Sequence, residues 1–395
     1  MRRGAAVAAA VLLAAALGTG AEAVRAPLVM AQQAAQPVVV VRAARLLDVR
    51  SGQVLRPGVV VIQGDRIKSV GAAGVPRGAR VIDLGDATLL PGLIDAHVHL
   101  THDWSGDWMS RAVRETAADE ALRGARNAGI TLRAGFTTVR NVGAGGFSDV
   151  ALMRAIDRGF VPGPRMITAG HSIGITGGHC DDTGFAPGIL ERGIEEGIAN
   201  GPTEAVEAVR YQIKHGATVI KVCATAGVLS FESTVGAQQL SDEELKAIVG
   251  EARRHGLKVA AHAHGTEGIK AAVRAGVTSI EHGSMLDDEA IALMKEHGTW
   301  LAPTTYLRDI TMPDLPEPIR LKRESVASIA KESLRRAIKA GVKVVFGTDA
   351  GVYPHGQNAR EFASLVDRGM QPIDAIRAAT IGAAELLGVS DRAEL

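Results

Sequence analysis

The feature that most restricts the fold is an alternation that begins at Pro91-Gly92 and runs to Leu387. Apolar segments at residues 92–100, 137–142, 165–169, 217–224, 258–264, 279–283, 300–306 and 342–349 have the length and β-branched content of buried strands. Helix-length amphipathic segments separate them, among them 111–134, 203–215, 241–254, 287–297 and 320–340. A strand followed by a crossover helix and another strand pairs in parallel. Eight such units predict an α/β fold of the (β/α)8 TIM-barrel kind, with its active site at the C-terminal strand ends. An open doubly wound sheet is the alternative, but Gly143-Ala144-Gly145-Gly146 has the wrong spacing for a dinucleotide loop.

Residues 38–47, 59–70 and 80–90 are β-rich, with a turn at Gly64-Asp65. They predict part of a small β-sandwich over 32–90, ahead of the barrel over 91–389. The last helical segment, 372–387, is followed by only the start of a return at 390–395, so either the small sheet stands on its three segments or the C-terminal strands of the sandwich are missing. At the other end, Arg2 and Arg3 precede an apolar run over 5–17, and Ala21-Glu22-Ala23 offers a cleavage site, with a second after Ala31. Residues 1–31 therefore read as a signal peptide and leader. The run is shorter than the roughly 20 residues that span a bilayer, so no stable membrane insertion is expected and the mature protein is expected to be periplasmic or secreted. A formal charge of +1, 3% aromatic residues and the lack of a long basic run argue against a nucleic-acid partner. Two cysteines are too few for a disulfide framework, although export permits one bond between them. Cys223 is expected as a small buried side chain, and Cys180, beside His179, is a weak nucleophile candidate.

Potential metal ligands fall at the predicted strand ends. His97 and His99 are two apart, so on a strand both face the same way and can hold one ion. His262 and His264 repeat that spacing, His282 ends the sixth strand and Asp349 ends the eighth. Asp95 and Asp103 are candidates for orienting a histidine or closing the loop. Lys221 sits within Val219-Ile220-Lys221-Val222, where an unpaired ammonium is costly. Addition of carbon dioxide would turn it into a carbamate able to bridge two cations about 3.5–4 Å apart; a salt bridge to Asp349 or a glutamate is the alternative.

Pro91-Gly92-Leu93-Ile94-Asp95-Ala96-His97-Val98-His99, Lys221, His262-Ala263-His264-Gly265, Glu281-His282-Gly283 and Gly347-Thr348-Asp349 together resemble the amidohydrolase superfamily. The resemblance is to its imidazolonepropionase-like and Xaa-Pro dipeptidase branch, which includes bacterial ochratoxin A-degrading amidohydrolases. It implies two zinc ions per subunit, the more buried held by His97, His99 and Asp349 and the other by His262 and His282, with carboxylated Lys221 and a hydroxide bridging them. It further implies that Asp349 relays the proton from the hydroxide to the departing amine, and that the enzyme is a homo-oligomer. Gly265, three residues after His262, stands where nucleoside deaminases of the mononuclear pattern carry a glutamate, which favours amide hydrolysis over deamination.

Substrate choice should lie in the strand-end loops. His171, His179, His264, Tyr306, His355 and the 227–234 loop are candidates, with His171, His264 and Tyr306 able to donate hydrogen bonds to a carbonyl or carboxylate. Arg140 can pair with a substrate carboxylate or form a structural ion pair. Trp104, Trp108, Phe185 and Phe231 are candidates for an apolar wall. The branch points to a carboxypeptidase-like enzyme that cleaves small carboxylate-bearing peptides or N-acyl amino acids, ochratoxin A among them. A Xaa-Pro dipeptidase and a hydrolase of cyclic amides or lactones are the alternatives.

Overall fold

The computed structural model describes residues 37–390 apart from 72–73, 104–106, 233 and 313–314. The signal expected over 1–31, and all but the first residue of the return expected over 390–395, lie outside the described residues. No helix among the described residues is long and apolar enough to cross a membrane.

The N-terminal part contains β1 (Val38–Ala43), β2 (Arg45–Leu47), β3 (Val54–Leu55), β4 (Gly58–Gln63), β5 (Arg66–Val70), β6 (Arg80–Asp83) and β7 (Thr88–Leu89). They form two small sheets, ordered β5-β4-β1-β6 and β3-β2-β7. Val40, Val59 and Val61 make the apolar face of the larger one. Gly58 is required where β4 crosses β2, because a Cβ there would lie 2.4 Å from the Arg45 carbonyl oxygen. Arg377 ties this part to the rest of the chain by donating to the carbonyls of Val49 and Arg50, each at 2.9 Å.

The following strands are all parallel. β8 (Leu93–Val98), β9 (Phe136–Asn141) and β10 (Arg165–Thr168) form one sheet, and β11 (Ile220–Cys223), β12 (Val259–Ala263), β13 (Ser279–His282) and β14 (Trp300–Ala302) another. Backbone hydrogen bonds join the two sheets on both sides. On one side, residues 342–350 lie between β14 and β8, with bridges Leu301 to Val344 and Val98 to Ala350. On the other, Thr218 N–H donates to Thr168 O at 2.8 Å and Ile173 bridges to Val222. The eighth predicted strand is thus an irregular segment, because Asp349 adopts φ 62° and Thr348 turns its hydroxyl onto Asp95 at 2.6 Å. The seventh ends at Ala302, short of the expected Tyr306: Thr304 takes φ 47°, and Thr305–Arg308 coils into a 3-10 turn.

Helices cover the outer faces. The one over Asp242–Arg254 starts with a capping box between Ser241 and Glu244 and buries Leu245, Ile248, Val249 and Ala252, the i, i+3, i+4, i+7 face of an amphipathic helix. These pack on Val222, Val259, Ala261 and Ile280 from the strands. Each fully buried Leu or Ile contributes about 1.5–3 kcal/mol. Because this face of each strand is held by the helix layer, the alternate residues Asp95, His97, Arg140, Lys221, His262 and Glu281 are directed to the opposite side.

Candidate metal centre

The inward parity of β8 delivers His97, and that of β12 delivers His262 and, one residue beyond the strand, His264. His282 shares the parity of the outward Ile280, so a regular strand would turn it away. Its φ of 72° breaks the alternation and swings the ring to the mouth, as φ 62° does for Asp349. Left-handed backbone at non-glycine residues costs about 1–3 kcal/mol each and gathers at functional sites.

Four histidines engage one ring nitrogen with protein and leave the other for a ligand. His97 Nδ1 bonds Glu281 Oε2 at 2.7 Å, His99 Nδ1 the Gly143 carbonyl at 3.1 Å, His264 Nδ1 Ser284 Oγ at 2.7 Å and His282 Nδ1 Thr304 Oγ1 at 2.8 Å. Such outer bonds fix tautomer and ring direction at metal sites. The Nε2 atoms of His97 and His99 each lie 3.4 Å from Asp349 Oδ1. Donor atoms of His97, His282 and Asp349 fall within 4.8 Å of one another, and so do those of His262, His264 and His282.

Two atoms test whether this set suits cations. His262 Nε2 and Asp349 Oδ1 are buried without a hydrogen-bond partner, and an orphaned buried polar atom costs about 1–3 kcal/mol. Bound cations would satisfy both. Burial also pushes the imidazoles of His262, His264 and His282 well below their usual pKa, and His99 to about 3, keeping them neutral as ligation requires. Burial alone would raise the Asp349 pKa, but the neighbouring His97, His99 and Lys221 outweigh it and keep the carboxylate charged.

Lys221 is buried on β11, with no carboxylate at ion-pair distance among the described residues, so the salt bridge to Asp349 or a glutamate does not form. Desolvation lowers its pKa to about 8 against the opposing pull of Glu281 and Asp349. A lysine that readily loses its proton is the form that adds carbon dioxide. The residues fit a pair of cations.

The Amidohydrolase family profile matches residues 88–395. Ochratoxinase of Aspergillus niger is 35% identical over 385 residues, covering 91% of this chain and 78% of that protein. The chain belongs to the amidohydrolase family. Its fold is similar to that of a Xaa-Pro dipeptidase crystallised with methionine in the active site, at 39% identity and TM-score 0.85, covering 90% of this chain and 89% of that one. A prolidase complexed with N-methylphosphonate-L-proline is similar at 32% identity and TM-score 0.80, with 89% and 88% covered. These relatives agree with the TIM-barrel type of α/β architecture and with hydrolysis of amide bonds.

Around the ligand set this amidohydrolase has a cavity of about 660 Å³. His171 and His264 line it. His171 Nε2 accepts the Gly146 N–H at 2.9 Å and its Nδ1 faces Gln212, so its ring is braced at both ends. His179 lines it too, stacked on His262 at 4.1 Å between ring centroids. Three expected substrate contacts do not reach the cavity. Arg140 is fully buried, donating to Ala96 O, Ser279 Oγ and Glu281 Oε1 at 2.6, 3.0 and 2.8 Å; of its two sequence readings, the structural ion pair is the one that forms. Tyr306 leaves the strand in the 3-10 turn and packs its ring on Tyr353 at 5.2 Å. His355 bonds the His102 carbonyl at 3.0 Å and braces the loop after β8. Of the aromatic wall, Trp108 lines the cavity and stacks on Phe231 at 6.0 Å; Phe185 is not part of the lining, and Trp104 lies outside the described residues.

The single bond that the sequence permits forms, and Cys223 is buried. Cys180 and Cys223 are disulfide-bonded, with Cα atoms 5.8 Å apart, so Cys180 is no nucleophile and Cys223 no free thiol. The bond fastens the His179 loop to the strand that carries Lys221.

Sequence reading missed the role of Glu281. Burial would raise its pKa, but the Arg140 charge and the His97 hydrogen bond hold the carboxyl well below its usual range. The signal was present: a glutamate on a buried strand needs a cationic partner, and Arg140 was the available one. It also missed His102, stacked on His99 at 5.5 Å, and Arg308 and Arg323 at the cavity wall.

Proposed function

We propose that the chain is a zinc-dependent, binuclear amidohydrolase acting like a carboxypeptidase on small peptides or N-acyl amino acids that carry a free carboxylate, including ochratoxin A. The orphaned pair of His262 Nε2 and Asp349 Oδ1 within one ring of donors carries this reading. His97, His99 and Asp349 would hold one ion, His262 and His282 the other, with carboxylated Lys221 between them. When bound, the ions supply Lewis acidity, which generates the nucleophile at neutral pH and polarises the carbonyl.

The chain's own residues supply the rest. The Asp349 carboxylate, through its oxygen not engaged by a cation, accepts the proton of the attacking water as the new C–O bond forms. It returns that proton to the amide nitrogen as the C–N bond breaks, so the amine departs neutral. His264, held by Ser284, is placed to donate to the developing oxyanion. The Cys180–Cys223 bond and the Trp108–Phe231 pair hold the cavity wall.

The same reading takes the hydrogen-bonded strands as a closed (β/α)8 barrel after the small domain at 32–90. It also takes the protein as exported after cleavage following Ala23 or Ala31 and self-associating, which N-terminal sequencing and light scattering of the mature protein test. A panel of Xaa-Pro dipeptides, other dipeptides, N-acyl phenylalanines, imidazolones, lactones and aminopurines tests the chemistry. Release of a free amino acid supports the proposal, and turnover confined to cyclic substrates or to deamination refutes it.

A further inference from the structure

Arg308 is a cationic side chain at the cavity wall without a carboxylate. It sits at the end of the 3-10 turn Thr305–Arg308, partly buried. Its Nη2 donates to Ser284 Oγ at 3.3 Å, and Ser284 Oγ in turn holds His264 Nδ1 at 2.7 Å. Arg323 lines the cavity beside it, donating to the carbonyls of Leu307 and Ile310. Among the described residues no acid forms an ion pair with either guanidinium. By contrast, Arg123 and Arg192 of the same cavity are matched by Glu115 and Asp182. Two adjacent guanidiniums without a counter-ion, in a wall that also desolvates them, form a site that is incomplete until an anion enters. Desolvation and the charge of Arg323 bring Arg308 only down to about 10, so it stays charged at neutral pH.

We propose that Arg308, supported by Arg323, binds the α-carboxylate of the substrate's departing amino acid. The inference rests on the amide-hydrolase reading. In such a substrate the carboxyl carbon is two bonds from the scissile nitrogen. Arg308 is one bridging hydroxyl, Ser284, from His264, which is grouped with His262 and His282 in the donor ring. A carboxylate on the guanidinium therefore places the amide over the ligand set. The site selects free C-terminal acids and rejects amidated or esterified ones, because a neutral end leaves the two charges uncompensated.

The test is calorimetric titration of the metal-loaded protein with N-acetyl-L-phenylalanine and with its carboxamide, for wild type, Arg308→Met and Arg308→Lys, together with metal content and hydrolysis of an N-acyl phenylalanine. Wild type is expected to prefer the acid at least ~10-fold. Arg308→Met is expected to erase that preference at unchanged metal content and to raise KM far more than it lowers kcat, and Arg308→Lys to keep part of it. Equal binding of acid and carboxamide by wild type overturns the proposal. So does a preference that survives in Arg308→Met, which would assign the carboxylate to the metal ions. Selective binding of the acid without any amide turnover supports the carboxylate site and sinks the amide-hydrolase reading instead.

Discussion

Replacing Arg140 by methionine separates its structural role from a substrate-binding one. Its guanidinium is fully buried and donates at 2.6 Å to Ala96 O, at 3.0 Å to Ser279 Oγ and at 2.8 Å to Glu281 Oε1. Methionine fills similar volume but leaves the Glu281 carboxylate without its counter-charge in the protein interior. Breaking a buried pair by removing one partner costs about 3–5 kcal/mol, a large share of the roughly 5–15 kcal/mol that stabilises a native domain. Urea unfolding of the metal-loaded protein should therefore show a clear fall in midpoint. KM for any surviving activity should be near that of wild type, since Arg140 does not reach the cavity. The double variant Arg140→Met with Glu281→Met should recover part of the stability, because paired removal of a buried ion pair is often neutral. It should lose metal affinity, because His97 loses its carboxylate. An unchanged midpoint in Arg140→Met with KM raised tenfold for free-acid substrates alone would refute this reasoning.

Glu281→Gln alone should lower metal affinity about 10–100-fold, the usual effect of losing an outer partner of a ligand, read by competition with a chelator; unchanged affinity would dismiss its role in holding His97. Cys180→Ser should destabilise the protein by about 4 kcal/mol in the chain-entropy account of a cross-link spanning 43 residues, measured by unfolding with and without reductant, which should have no further effect on the variant. With its pKa near 8, Lys221 has a neutral amine in roughly one molecule in ten at pH 7, and that fraction grows as pH rises. Reloading of metal-free protein with zinc should therefore speed up with bicarbonate and as pH climbs through about 8; a rate indifferent to both would argue against carboxylation.

The strands and the candidate ligands were legible for the same reason: a buried strand directs alternate residues to one face, and His97, His262 and Lys221 obey that spacing. The errors came where local backbone or distant pairing overrides that spacing. The apolar run over 300–306 carries the predicted strand through Tyr306, whereas φ 47° at Thr304 ends the strand. Arg140 was readable only as a charge; its partner, Glu281, is 141 residues away and meets it from the other parallel sheet. Cys180 and Cys223 are brought together by the bridge between Ile173 and Val222, a long-range contact that residue counting does not contain. Arg308 lies in a turn with no periodicity, so its position at the wall follows only from where β14 stops.

The most direct test of the central claim is metal content measured alongside turnover, in wild type and in Lys221→Ala. The account predicts about two zinc ions per subunit and release of a free amino acid by wild type. Lys221→Ala should lose both, with short-chain carboxylic acids restoring part of each by standing in for the carbamate. Full turnover by metal-free protein, or a Lys221→Ala variant that keeps both ions and full activity, would contradict it.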